Sequence, residues 1–380
     1  MDRWAYGTHA RQYKAVIDPA QDTTDITDYA TSDWHPWIDQ RQWWANTQYL
    51  WQWAPVDSQF GSLPEQGSPE RGLALALLSI LGAFGCASDV QLRRIFRERA
   101  EAAIEAATSS NFLAETISNG PAPRLYKIRS RSILERMYAQ MAPAEQIAVC
   151  GNVQLVSNSN HMRHDVLGLQ LALDVPDQHI DAILGEPWAQ GQLLLPDHRG
   201  PERGDLVIVH NGGVRDVYEI VGSVSSLSYI LPKKFTTWMQ ALGLATPSVL
   251  GMRVIMFCAD SSGGAVSARQ AIAALRRVAK EPIEGTGGKY LSSEMMRHVL
   301  SSILIVKASD WPGWGARPKD APIIAQRLAW PEEKMETVED IMAAPYVPQL
   351  DTTVADWTET AKNARGLLSW SMIASARSVT

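Results

Sequence analysis

Cysteine is scarce: three residues among 380, Cys86, Cys150 and Cys258, lie far apart and in no paired pattern. That excludes a disulfide framework and a cysteine-built zinc site, and it suits a reducing compartment. Long apolar runs are missing as well. The longest, LALALLSILGAF at 73–84, is shorter than the ~20 residues that span a bilayer. The opening MDRWAYGTHARQYK has no apolar signal region. The expectation is a soluble, intracellular protein with no membrane insertion. Positive charge is not in excess: the net charge is −6 and neither end carries a basic tail. This argues against coating duplex nucleic acid through a flexible basic arm, while a local basic groove stays compatible with it.

Diagnostic catalytic motifs are absent too. In EGTGGKYLSSE, Ile283 stands where a phosphate-binding loop needs its first glycine, and Tyr290 where it needs Ser or Thr. CADSSGGAVSARQ has strand–loop–helix character, so its helix start either binds an anion or is capped by Ser261 or Ser262. His161 and His164 are spaced as a ligand pair but have no third ligand nearby. The other histidines, His9, His35, His179, His198, His210 and His298, fall in no triad context and are expected to be solvated or locally bonded. No catalytic residue, metal or cofactor is therefore expected.

Tryptophan is abundant. Seven of fourteen lie in the first 53 residues, six of them in WHPWIDQRQWWANTQYLWQW at 34–53. Trp37, Trp44 and Trp51 recur every seven residues, with Trp43 and Leu50 beside them. This spacing predicts an amphipathic helix over 36–53, opened by Pro36 and ended at Ala54-Pro55. The stripe either floors the protein's own core or enters a neighbouring subunit, where Trp is a frequent anchor. Six rings exceed what one stripe buries. Trp34, Trp37, Trp43, Trp44, Trp51 and Trp53 are therefore expected at an oligomer contact, together with Trp357 and Trp370 of a C-terminal helix.

Periodicity predicts a buried helix over 70–84, a capping-box start at Ser88 with Gln91, and a helix near 131–141, making the first 145 residues helical. In the middle, EQIAVCGNVQLV, LGLQLALDV, SLSYIL and LGMRVIMFCA read as strands, with a helix over 235–243. DLVIVHNGGVRDVYEIVG reads as a hairpin turning at His210-Asn211-Gly212-Gly213. Helices follow over 265–280 and 289–306. The loop DWPGWGARPKDAP comes next, and then a final helix carrying Val354, Trp357, Ala361, Ala364, Leu368 and Met372. The fold class expected is α+β, predominantly helical. It comprises an extended arm (1–33), a helical N-terminal lobe (34–145), a β-containing middle (146–260) and a helical C-terminal lobe (261–380).

Basic residues gather in three places: Arg124, Lys127, Arg129 and Arg131; Lys233 and Lys234; and Arg269, Arg276, Arg277 and Lys280, with Arg297 on the next helix. They are either phosphate contacts or solvated faces paired with acids. An arm, two helix-rich lobes, scattered basic residues and a C-terminal helix together resemble the plan of nucleoproteins of negative-strand RNA viruses. Coat proteins of fungal or plant RNA viruses are similar as well, and the β content of the middle favours either these or a different class altogether. The resemblance implies a non-enzymatic protein that self-assembles around single-stranded RNA, without sequence specificity, in virion and host cytoplasm. Its partners would be itself and RNA. Two further readings are an α/β enzyme or binding module for a phosphorylated small molecule at the 260–265 loop, and an outer-shell protein that never touches RNA.

Overall fold

The structure is a computed structural model. It describes residues 51–53, 61–118, 123–129, 136–137, 139–150, 162–175, 180–189, 194, 203–210, 214–221, 227–244, 251–260, 263–285, 288–311, 321–343 and 368–377.

A small antiparallel sheet belongs to the N-terminal part, built from β1 (Trp51–Trp53), β2 (Cys86–Ser88), β3 (Leu113–Ser118) and β4 (Leu125–Ile128) in the order β1-β3-β4-β2. Beside it run α1 (Pro69–Phe84), α2 (Asp89–Phe96) and α3 (Ala100–Ser109). α1 begins at a Ser68 cap with Pro69 at its first position, and it is buried along most of its length. α2 begins with the expected capping box of Ser88 and Gln91.

After α4 (Pro143–Cys150) and α5 (Met162–Asp174) comes a seven-stranded sheet in strictly sequential order. Its strands are β5 (Ile180–Gly185), β6 (Leu206–His210), β7 (Arg215–Val221), β8 (Met252–Cys258), β9 (Ile303–Lys307), β10 (Ala325–Ala329) and β11 (Lys334–Val338). The three central strands β7, β8 and β9 are parallel, and the flanking pairs are antiparallel. Parallel neighbours need crossovers: α6 (Leu227–Leu242) joins β7 to β8, while α7 (Ala265–Val278) and α8 (Ser293–Ser301) join β8 to β9. Both crossovers step the same way along the sheet, so right-handedness puts these helices on one face. There Val207, Val217, Val254 and Met256 meet Phe235, Trp238 and Leu275. The alternate residues Leu206, Ile208, Tyr218, Ile220 and Phe257 face the core that contains Leu77 of α1 and Leu167 and Leu171 of α5. The last described helix, α9 (Leu368–Arg377), packs on this second face, where Ser369 N–H donates to Ser79 Oγ at 2.9 Å.

The mixed α and β class holds, with a central sheet covered on both faces as its organising element. Several local expectations need correction. The strands read in EQIAVC and LGLQLALDV are helices α4 and α5. Their Leu, Ala and Gln content suits a helix, and a short apolar run does not separate a buried helix from a buried strand. SLSYIL is largely the start of α6, which continues through Pro232 rather than beginning near 235. The helix expected over 289–306 stops at Ser301, where the β-branched ILIV run becomes β9. The first 145 residues are not all helical, since they hold all four strands of the small sheet. Trp51 and Trp53 lie in β1, where the backbone pairs Trp51↔Ser118 and Trp53↔Thr116, so the tryptophan helix fails at that end. Trp34, Trp37, Trp43, Trp44 and Trp357, the arm, the 131–135 segment, and the HNGG turn beyond His210 lie outside the described residues. The hairpin strands, the β8 strand and the α7 helix stand as expected.

Candidate active site

Several chain segments meet at one edge of the large sheet. The antiparallel register Gly185↔Leu206 and Leu206↔Tyr218 brings the end of β5, the start of β6 and the end of β7 together. α6 and α7 each follow a parallel strand, so both begin at this same edge. Carboxyl ends of strands are where open α/β sheets hold ligands.

Asp205 immediately precedes β6. The turn into it is tight: Gly204 N–H donates to Ala189 O at 2.9 Å. A Cβ on Gly204 would stand 2.4 Å from Val217 Cγ1 and 3.0 Å from Tyr218 O. Asp205 N–H donates to Tyr218 O at 2.7 Å. Its Oδ2 accepts the Ile220 N–H at 2.5 Å and lies 3.0 Å from His164 Nε2, which α5 carries across from the other layer. The same His164 nitrogen is 3.1 Å from Ile220 O. Asp205 Oδ1 keeps its lone pairs, with no hydrogen bond to another described residue.

Glu219 lies on β7, in the run VYEIV whose residues are all buried, near enough to Asp205 for the two charges to interact. Its parity turns it toward α6. Oε1 accepts Trp238 Nε1–H at 2.7 Å, and Oε2 accepts the Lys234 ammonium. Lys234 and Trp238 are four residues apart on α6, which puts both on the helix face over β7. At the rim, Arg203 and Glu186 pair at 2.7 Å.

The charges are interdependent. Burial works against a charged His164, yet the adjacent Asp205 overrides it and lifts the imidazole to about 9. Asp205 is also opposed by burial, but His164, Lys234 and the Ile220 amide hold it below the usual carboxylate range. Burial raises Glu219 and Glu186, with Lys234 and Arg203 respectively acting against the rise. Burial opposes the Lys234 charge, and the fields of Glu219 and Asp205 raise its pKa in spite of it. The cluster therefore sets alternating carboxylates and cations in little water, with Lys234 one-third exposed at its mouth.

No three His, Cys, Asp or Glu side chains among the described residues converge as a metal-binding set. Mg²⁺ does not need three, because it keeps several waters and binds through one or two carboxylates plus substrate phosphates. Asp205 Oδ1 supplies an oxygen donor of that kind, while Glu219, buried and already accepting from Trp238 and Lys234, has only the remaining lone pairs of its oxygens to add.

A second charged group lies toward the opposite end of the sheet, on its other face. His210 Nε2 is 2.8 Å from Asp216 Oδ2, and Arg253 bonds Asp216 through two nitrogens at 2.6 and 2.5 Å. Arg253 also donates to Ile341 O at 3.0 Å. His210 and Asp216 are fully sealed from solvent.

The expected basic residues fall in separate places. Arg124 pairs with Glu115 at 3.0 Å on the small sheet. Lys127 is on β4 and half-buried, Arg129 follows it, and Arg131 lies outside the described residues. Lys233 is exposed, whereas Lys234 turns inward to Glu219. Arg269, Arg276 and Arg277 are exposed along α7. Lys280 pairs with Glu333 at 2.7 Å, and Arg297 donates to Trp330 O at 3.2 Å. Trp370 is half-buried against both cores of its own chain. His161 is outside the described residues. At the 260–265 loop, the Asp260 carboxylate accepts the Ser267 N–H at 2.6 Å and its hydroxyl at 2.5 Å. The start of α7 thus already holds a carboxylate of this chain, as the macrodipole favours.

Sequence reasoning missed Asp205, Glu219, His164 and Trp238. Their signal was present: a lone carboxylate inside a strand of Val, Tyr and Ile must find partners, because an unpaired buried charge is costly. Comparison with family models, curated proteins and solved structures finds no match to this chain. Among the described residues, no helix is long and apolar enough to cross a membrane.

Proposed function

We propose that the chain is a divalent-cation-dependent hydrolase of phosphodiester bonds in nucleic acid, with its active site at Asp205, Glu219 and Lys234. The observation that carries this is two carboxylates near enough for their charges to interact, with Lys234 of α6 paired to Glu219 and one-third exposed. Asp205 and Glu219 would hold the cation. When bound, it supplies Lewis-acid stabilisation of charge building on phosphoryl oxygens. Lys234 stands beside Glu219, where its ammonium can orient a water or donate to a non-bridging phosphate oxygen. Trp238 fixes the Glu219 carboxylate through Oε1, and His164 with the Ile220 amide fixes Asp205 through Oδ2. These partners leave Asp205 Oδ1 for the cation. Holding a ligand carboxylate in one orientation is the usual work of such outer groups.

Nucleic acid, expected from the sequence as a structural partner, is here the substrate. The coat-protein alternative rests on tryptophans mostly outside the described residues, whereas the hydrolase rests on the Asp205, Glu219 and Lys234 contacts. The test is a 5′-labelled oligonucleotide incubated with full-length protein and Mg²⁺. Chelator-sensitive cleavage that is lost in Asp205→Asn and Lys234→Ala supports the hydrolase. Intact oligonucleotide under all conditions, with the protein folded, overturns it.

A further inference from the structure

We infer that Arg203 is the phosphate anchor of this site: its guanidinium trades its contact with Glu186 for the oxygens of a backbone phosphate. This rests on the hydrolase proposed above.

Two independent links place Arg203 at the rim of the carboxylates. Along the chain it stands two residues before Asp205. The Gly204 between them has no room for a Cβ, which would stand 2.4 Å from Val217 Cγ1, and its N–H is held by Ala189 O. The backbone beneath the arginine is therefore fixed. Across space, Arg203 Nη2 is 2.7 Å from Glu186 Oε1. Glu186 directly follows β5 and lies near enough to Asp205, Glu219, His164 and Lys234 for the charges to interact.

The Arg203 side chain is 53 % exposed, more than any charge of the cluster it borders, whereas Glu186 is 13 % exposed. Glu186 is its only ion-pair partner among the described residues. An ion pair open to water on one side contributes little to stability, so exchanging that partner costs little. A guanidinium carries five N–H donors in a fixed fork that matches phosphate oxygens, and the Glu186 contact engages one nitrogen. The carboxylates of Asp205, Glu219 and Glu186 are balanced by His164, Lys234 and Arg203. A bound divalent cation makes this arrangement positive, and phosphates of a strand answer that charge.

The experiment uses full-length protein with Ca²⁺ and reads fluorescence anisotropy of labelled oligo(dT) and oligo(U) over a salt series. Arg203→Ala should weaken binding about tenfold, as for loss of a hydrogen bond to a charged group. It should also lower the slope of log K against log salt by about 0.7, one phosphate contact on a single strand. Glu186→Gln should bind at least as tightly as wild type, because the competing carboxylate charge is gone. Adding Arg203→Ala to Glu186→Gln should again cost about tenfold. An arginine that serves only to neutralise Glu186 gives the opposite result, with binding restored in the double variant. That restoration, or an unchanged salt slope in Arg203→Ala, overturns the anchor. A wild type that binds neither oligomer overturns the nucleic-acid reading itself, so the two failures are distinguishable. The tighter of the two oligomers tells whether the strand is DNA or RNA.

Discussion

Two charged clusters sit on the same hairpin and differ in composition and in access to water: the least buried side chain of one, Arg253, is 17 % exposed, and that of the other, Lys234, 34 %. Asp216, His210 and Arg253 close on themselves, with the carboxylate and imidazole sealed and the guanidinium forked onto both Asp216 oxygens. Asp205, Glu219, His164 and Lys234 use similar chemistry, but Lys234 and His164 keep 34 % and 27 % of their side chains exposed. The sealed cluster leaves His210 Nδ1 without a partner among the described residues, but out of reach of solvent. The open one keeps an oxygen on Asp205 and a mobile type of cation at its mouth. A buried ion pair alone is weak evidence of function. The contrast within one hairpin separates a staple from a site.

The largest effects should split by cluster. Asp216→Ala leaves Arg253 without its partner in the interior. It should cost about 3–5 kcal/mol in denaturant unfolding, the range for breaking a buried pair. Glu219→Gln should instead remove cleavage by about 10²–10³-fold in kcat, the range for losing one preorganised group that acts on transition-state charge. Equal stability losses with equal residual activity would erase the comparison.

Cation binding should raise the midpoint of thermal unfolding in the wild type, since it adds about 2.7 kcal/mol of stability at a hundredfold excess over Kd. Glu219→Gln should not respond, and a response of equal size there would place the cation elsewhere.

Acid stability draws on both clusters, since Asp205 and Asp216 are each held below the usual carboxylate range, and Asp216 carries the clearer case. Burial works against the Asp216 charge, but Arg253 and His210 outweigh it and hold the carboxyl at about 2. A folded-state value below the unfolded one means stability present above about 3.9 and lost as pH falls through about 2. Unfolding titrations between pH 5 and pH 2 should therefore show a steeper loss in wild type than in Asp216→Asn (pH limits about those of the linkage range).

Smaller effects come from the scaffold. Gly204→Ala forces Val217 or the chain to move and should displace Asp205, costing about 1–3 kcal/mol with a drop in kcat. Trp238→Phe removes one donor from Glu219 and should cost about 1 kcal/mol, with a modest activity loss measured on the same substrate.

Much of the sheet was legible. The DLVIV and VYEIV runs flanking a glycine turn identify β6 and β7, and the β-branched and aromatic run of β8 identifies its strand. The helices α4 and α5 were not: α5 is buried on most sides and so loses the periodicity that marks a helix, and α4, eight residues long, is too short to display one. In the site, Lys233 and Lys234 stood out as a pair, but their division of labour did not. Only the register of α6 over β7 turns Lys234 inward and leaves Lys233 in solvent. His164 shares a ligand-pair spacing with His161 but has no third ligand nearby, and by sequence is expected to be solvated or locally bonded. Its partner Asp205 is brought to it by the packing of α5 on the sheet, which no local spacing encodes.

The most direct measurement is calorimetric titration of Mn²⁺ into full-length wild type and Glu219→Gln, with each variant's folding checked by circular dichroism. Carboxylate oxygens suit this cation, and Mn²⁺ stands in for Mg²⁺. The account requires saturable binding by the wild type that disappears in Glu219→Gln. Equal binding by both, or none by the wild type, would reduce the open cluster to a second structural staple.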